Sequence, residues 1–136
     1  MAYRLDEQIG YILRLANQRH ALIFNKHSEL GLTPTQFAAL VRIGEMGACS
    51  QNLLGRRTAM DVATIKGVVT RLKAKGFIQL NPDPGDKRRT VVSLSAQGQD
   101  VIDQLHAFGE KVTEETLAPL SEPERKVFLD MLKRLT

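Results

Sequence analysis

The chain has 136 residues, 43% hydrophobic and 25% charged, with a formal net charge of +4 at neutral pH. That composition describes one ordinary globular domain, or a domain with a small appendage, and excludes collagenous and disordered classes. The longest apolar run, Phe37 to Val41, is five residues, and Arg4, Asp6 and Glu7 stand where an export signal needs an apolar core, so neither a membrane span nor a signal peptide is expected.

Apolar side chains recur with helical spacing at Leu5, Ile9, Ile12, Leu13, Ala16, Ile23, Phe24 and Leu30, which predicts one helix over residues 5–30. At about 1.5 Å per residue it would be near 39 Å long, enough to reach a second subunit. Gly31 stops it, and the next start is sharp: Thr33 as N-cap, Pro34 at the first position and Gln36 completing a capping box. That helix, 34–46, turns Phe37, Leu40, Val41 and Ile43 inward. A short helix over 50–57 follows, capped by Ser50. Asp61 then caps a helix that runs to Lys75 and ends at Gly76. It carries a narrow apolar stripe of Ile65, Val68, Val69 and Leu72, opposite a face of Ala63, Thr64, Lys66, Gly67, Thr70 and Arg71.

Strand-like runs over 77–81 and 90–94 flank a turn-rich loop, predicting a two-stranded hairpin with a basic tip. Ser95 caps a long helix to about residue 118. Ser121 and Glu124 form a second capping box, opening a last helix with Val127, Phe128, Met131, Leu132 and Leu135. A stripe reaching that far is the pattern expected of a chain that continues past Thr136.

The charge is unevenly spread. Between Ser50 and Thr90 stand nine basic residues (Arg56, Arg57, Lys66, Arg71, Lys73, Lys75, Lys87, Arg88, Arg89) and three acidic ones (Asp61, Asp83, Asp86), a local charge of +6. The remaining 95 residues therefore sum to −2. A basic middle between acidic flanks points to a polyanion-binding module, the alternative being a solvated basic face.

Three short helices followed by a hairpin describe a winged helix-turn-helix, whose third helix enters a DNA groove. The stretches Leu32-Thr33-Pro34-Thr35-Gln36-Phe37 and Lys75-Gly76-Phe77-Ile78, and above all the segment from Asp86-Lys87-Arg88-Arg89 through Leu94-Ser95-Ala96-Gln97-Gly98, resemble the MarR family of bacterial transcriptional regulators. The resemblance implies a mainly α fold with a small β-hairpin wing: a helical dimerisation region (1–32 and 95–136) and a winged helix-turn-helix DNA-binding domain (33–94). It implies a homodimer that reads a pseudo-palindromic double-stranded operator. Arg88 would enter the minor groove with Lys87 and Arg89 beside it, and Asp86 would orient Arg88 by a bidentate contact. On the recognition helix, the small residues Ala63 and Gly67 would let the helix backbone approach the major groove, although helix packing also explains a glycine at 67. Thr64, Lys66, Thr70 and Arg71 would reach bases or phosphates. Arg56, Arg57, Lys73 and Lys75 are phosphate anchors or plain surface.

Family members mostly respond to a small ligand, often an aromatic acid, and residues 1–40 are similar to regulators of nicotinate and related aromatic-acid catabolism. The resemblance places Arg14 and His20 as effector contacts, with Asn17 beside them and Tyr11, Phe37 and Met60 as apolar wall. The alternative is that Arg14 is solvated and His20 a packing residue. Two other readings stay open: a thiol redox-sensing repressor acting through Cys49, and an effector-free architectural DNA-binding protein. No metal, cofactor or catalytic constellation is expected, because His20, His27 and His106 lack a carboxylate pair at ligand spacing. One cysteine and no export signal fit the cytoplasm.

Overall fold

The computed structural model describes residues 1–136. It contains a 3-10 turn at Leu5–Glu7, six helices and three strands: α1 Ile9–His27, α2 Pro34–Met46, β1 Cys49–Ser50, α3 Gln51–Arg57, α4 Val62–Ala74, β2 Ile78–Asp83, β3 Asp86–Leu94, α5 Ala96–Thr116 and α6 Glu122–Lys133. The chain forms two compact units, Met1–Ser28 with Phe108–Thr136, and Glu29–Ala107. No helix is long and apolar enough to cross a membrane.

In the second unit, helices and sheet share one core. Ala39, Leu40 and Ile43 of α2, Leu54 of α3, Ile65 and Leu72 of α4 and Val92 of β3 are completely buried. The predicted capping box forms, with Thr33 Oγ1 accepting from Gln36 N at 3.3 Å and Gln36 Oε1 accepting from Thr33 N at 3.2 Å. Gly55 sets the crossing of α3 and α4, because a Cβ there would meet Met60 O at 3.1 Å and Ile65 Cγ2 at 3.2 Å. Ala59 reverses the chain between those helices in the left-handed region, at φ 55°, a conformation that costs a non-glycine residue roughly 1–2 kcal/mol.

The sheet has three strands, not two. The short β1 pairs with β3 at Cys49↔Val92 and Ser50↔Val91, so β3 is central in the order β1-β3-β2. Period-2 patterning could not reveal a two-residue strand. At the far end, β3 is anchored to α5. Ser95 Oγ donates to Gly76 O at 2.5 Å and accepts from Gly98 N at 3.0 Å, while Ser95 N donates to Phe77 O at 3.0 Å. A Cβ on Gly98 would run into the Phe77 carbonyl. The glycine is therefore required by close backbone approach.

In the first unit, α1 is shorter than predicted. Gln8 breaks the helical pattern in extended conformation and caps α1, its Oε1 accepting from Tyr11 N at 2.6 Å. The 19 residues of α1 span about 28 Å, so length alone no longer argues for a second subunit. Exposed apolar surface does. Ile9, Ile12, Leu13, Leu15 and Leu22 of α1 and Val127, Phe128, Met131 and Leu135 toward the C-terminus are all more than two-fifths exposed, and α6 buries no residue. Phe24 meets Phe108 edge-on, ring centroids 4.9 Å apart, beside buried Ile23, Val112 and Leu117.

Candidate nucleic-acid interface

The second unit carries the whole basic segment. Along α4, Ile65, Val68, Val69 and Leu72 are buried while Ala63, Thr64, Lys66, Thr70 and Arg71 are exposed, with Gly67 half-buried among them. The predicted division of the helix into a core stripe and a free face therefore holds. Asp61 caps it, accepting from Thr64 N at 2.7 Å, and that backbone hydrogen bond holds the Asp61 carboxyl below the usual aspartate range. Thr70 Oγ1 donates back to Lys66 O at 2.8 Å, so its hydroxyl oxygen remains available as an acceptor.

Within the wing, the register of β2 and β3 decides where the cations go. The ladder runs Ile78↔Leu94 to Pro82↔Thr90, then jumps to Asp83↔Asp86, so β3 carries three residues with no partner on β2: Lys87, Arg88 and Arg89. Pro84-Gly85 alone form the tip, with Asp83 Oδ1 accepting from Gly85 N at 2.9 Å. The basic triplet was expected in the loop. It instead forms a bulge on β3, which re-aims side chains away from the sheet. All three residues are exposed.

Asp86 meets Arg88 as expected, but not in a bidentate fork. Its Oδ1 alone accepts both Arg88 N at 3.0 Å and Arg88 Nε at 3.3 Å. The contact leaves the terminal nitrogens of a 92% exposed side chain pointing outward. The acid among these cations is thus explained by local geometry: it fixes the backbone and the base of the guanidinium together, and leaves the guanidinium's outer end free.

The whole chain carries this architecture in common with solved regulators. The MarR family model matches residues 30–89. Over 134 residues, 98% of this chain and 85% of the relative, the sequence is 38% identical to the HTH-type transcriptional repressor NicR of Pseudomonas putida. The chain belongs to the MarR family. A probable transcriptional regulator from Pseudomonas aeruginosa superposes with a TM-score of 0.94 at 53% identity, over 98% of this chain and all of the other. BpsR of Bordetella bronchiseptica, solved to explain how 6-hydroxynicotinic acid regulates its DNA binding, superposes at 0.92 with 34% identity, over 99% and 97%. As a member of the MarR family, the chain is a DNA-binding transcriptional regulator.

One exposed residue of the MarR-type recognition helix escaped the sequence reading. Val62, the first residue of α4, is 69% exposed, an apolar side chain at the N-terminal end of the helix. Its signal was its place immediately after the N-cap Asp61, where a protein that only needed solubility gains nothing from valine.

The effector residues expected from the sequence are divided between the two units. In the first, Arg14 stacks on Tyr11, its guanidinium carbon 5.4 Å from the ring centroid, and Asn17 is exposed. His20 Nδ1 lies 3.1 Å from Thr116 Oγ1. Arg19, its neighbour on α1, donates to Thr116 O at 2.6 Å and Glu115 O at 2.9 Å, satisfying the last carbonyls of α5. In the second unit, Phe37 lines a cleft of about 430 Å³ together with Val41, Arg42, Arg56, Arg57 and Ala59. Met60 does not line it and packs against the core. Cys49 is buried in β1, and burial pushes its thiol up from the ordinary value. A thiol held in the neutral form is a poor oxidant sensor.

Proposed function

We propose that this protein is a homodimeric repressor that occupies a pseudo-palindromic operator and is released from it by a small aromatic carboxylate. The observation that carries the DNA contact is the three-residue bulge of Lys87, Arg88 and Arg89, set in the same unit as the exposed face of α4. Arg88, oriented by Asp86, enters the minor groove, where the negative potential is deepest over narrow A·T-rich sequence. Lys87 and Arg89 neutralise flanking phosphates. Ala63, Thr64, Lys66, Gly67, Thr70 and Arg71 face the major groove. Pairing of two copies through the exposed apolar faces of α1 and α6 gives two such readers, for half-sites about 10 to 10.5 bp apart. A regulator of this kind works in the cytoplasm, and no residue is assigned a catalytic step.

The effector reading is supported by the 6-hydroxynicotinic acid response of BpsR and by the chemistry of the residues. Arg14 takes the carboxylate and Tyr11 lies beside its guanidinium. Asn17 and His20 supply hydrogen bonds to ring substituents. Effector binding to a conformation unable to hold DNA shifts the population away from the operator. The test is a thermal-shift screen of benzene and pyridine carboxylates on the full chain, since a ligand that binds only the native state raises its melting temperature. Hits should release operator from the wild type and fail on Arg14→Ala, which should still bind DNA. Normal release from Arg14→Ala removes the arginine from the mechanism.

A further inference from the structure

Gly67 has no packing reason to be a glycine. A Cβ built on it would meet a single neighbour, Arg71 Nη1 at 3.1 Å, so no other element forbids alanine. Glycine in the middle of a helix is nonetheless less stable than alanine, because it gives up more conformational freedom on folding. What the missing side chain makes room for is the Arg71 guanidinium. Arg71 stands one turn further along α4 and folds back toward the helix N-terminus, the direction in which long helical side chains run.

The guanidinium is otherwise unengaged. No ion pair or hydrogen bond of the chain holds it, Arg71 is exposed, and the side chains on either side, Ala63, Thr64 and Thr70, are too short to shield it. A planar group resting on the free face of a recognition helix, with its donors unspent, matches the paired acceptors O6 and N7 of guanine in the major groove.

We propose that Gly67 is the seat of Arg71, and that the pair reads one guanine in each half-site. The inference rests on the DNA-binding reading above and adds to it the base and the reason for the glycine. It differs from the view that Gly67 merely lets the helix backbone come close to the major groove. Under that view alanine would harm binding whatever stands at 71.

The experiment is a double-mutant cycle on the full chain, with a duplex that the wild type selects from a random-sequence pool. Gly67→Ala should raise the melting temperature yet weaken binding about tenfold, and Arg71→Ala should weaken it by a similar factor or more. In the Arg71→Ala background, Gly67→Ala should change affinity less than twofold. Replacing one guanine per half-site by 7-deazaguanine should weaken the wild type about tenfold and leave Arg71→Ala unaffected. Additive effects of the two substitutions, or a guanine scan with no responsive position, overturn the seat while DNA binding stands. A wild-type chain that selects no duplex overturns the DNA-binding reading itself, and the seat with it.

Discussion

One carboxylate oxygen of Asp86 receives both the backbone N–H and the Nε–H of Arg88, at 3.0 and 3.3 Å. The aspartate thereby shapes the bulge and aims the arginine in a single contact. Arg88→Ala should weaken operator binding by tenfold to a hundredfold, the range of a lost groove contact. Asp86→Ala should lose less, about tenfold, and Asp86→Asn should recover most of that, because the amide oxygen still accepts both hydrogens. Fluorescence anisotropy on a labelled operator measures all three, and gel filtration should show the oligomeric state unchanged.

Val62 opens α4 with its methyl groups exposed. An apolar side chain at the leading end of the recognition helix is suited to the 5-methyl group of thymine. Replacing thymine by uracil through the operator should reveal one position per half-site where the wild type loses about threefold to tenfold, as expected for an apolar contact of one methyl group. Val62→Ala should no longer distinguish the two bases there.

Gly98 sits where the first turn of α5 passes the Phe77 carbonyl. A methyl group cannot be added without moving the junction held by Ser95, Gly76 and Phe77. Gly98→Ala should destabilise the chain by about 1–3 kcal/mol, the usual range for overpacking. It should also weaken DNA binding through the misplaced wing. Chemical denaturation measures the first effect, and the midpoint should fall without loss of the helical signal.

Glu115 draws His27 and Lys26 of α1 together, the lysine at 3.2 Å, and these contacts, His27 first, hold its carboxyl below the usual glutamate range. A carboxyl whose folded value is depressed stabilises the native state above its unfolded value and loses that contribution as pH falls through the folded one. The melting temperature of the wild type should therefore exceed that of Glu115→Gln at neutral pH. The gap should close on acidification below the ordinary glutamate range. A gap that is constant with pH would assign the effect to packing instead.

Much of the fold was legible because local signals agreed with tertiary need. Thr33, Asp61 and Ser121 cap the helices they were expected to cap, and the stripe of Ile65, Val68, Val69 and Leu72 is buried as its spacing required. Four features were not legible, each for a physical reason. Gln8 ends the regular pattern through a side-chain hydrogen bond that apolar periodicity does not register. β1 is too short to show alternation and exists only because β3 offers it an edge. The bulge at Lys87, Arg88 and Arg89 is a matter of register, which depends on both strands at once. Partners of Arg19 and His20 lie about a hundred residues away, at 115 and 116, so the spacing of residues along α1 alone does not reveal that they meet the end of α5.

The central claim is that a pair of these chains presents two arginine-tipped wings and two α4 helices to one duplex. Hydroxyl-radical footprinting on the selected operator, with wild type and Arg88→Ala side by side, tests it most directly. The account predicts two symmetric protected blocks about one helical turn apart, with minor-groove protection at their outer edges that vanishes in Arg88→Ala while the central blocks persist. A single unpaired block, or outer protection that survives the loss of Arg88, would contradict it.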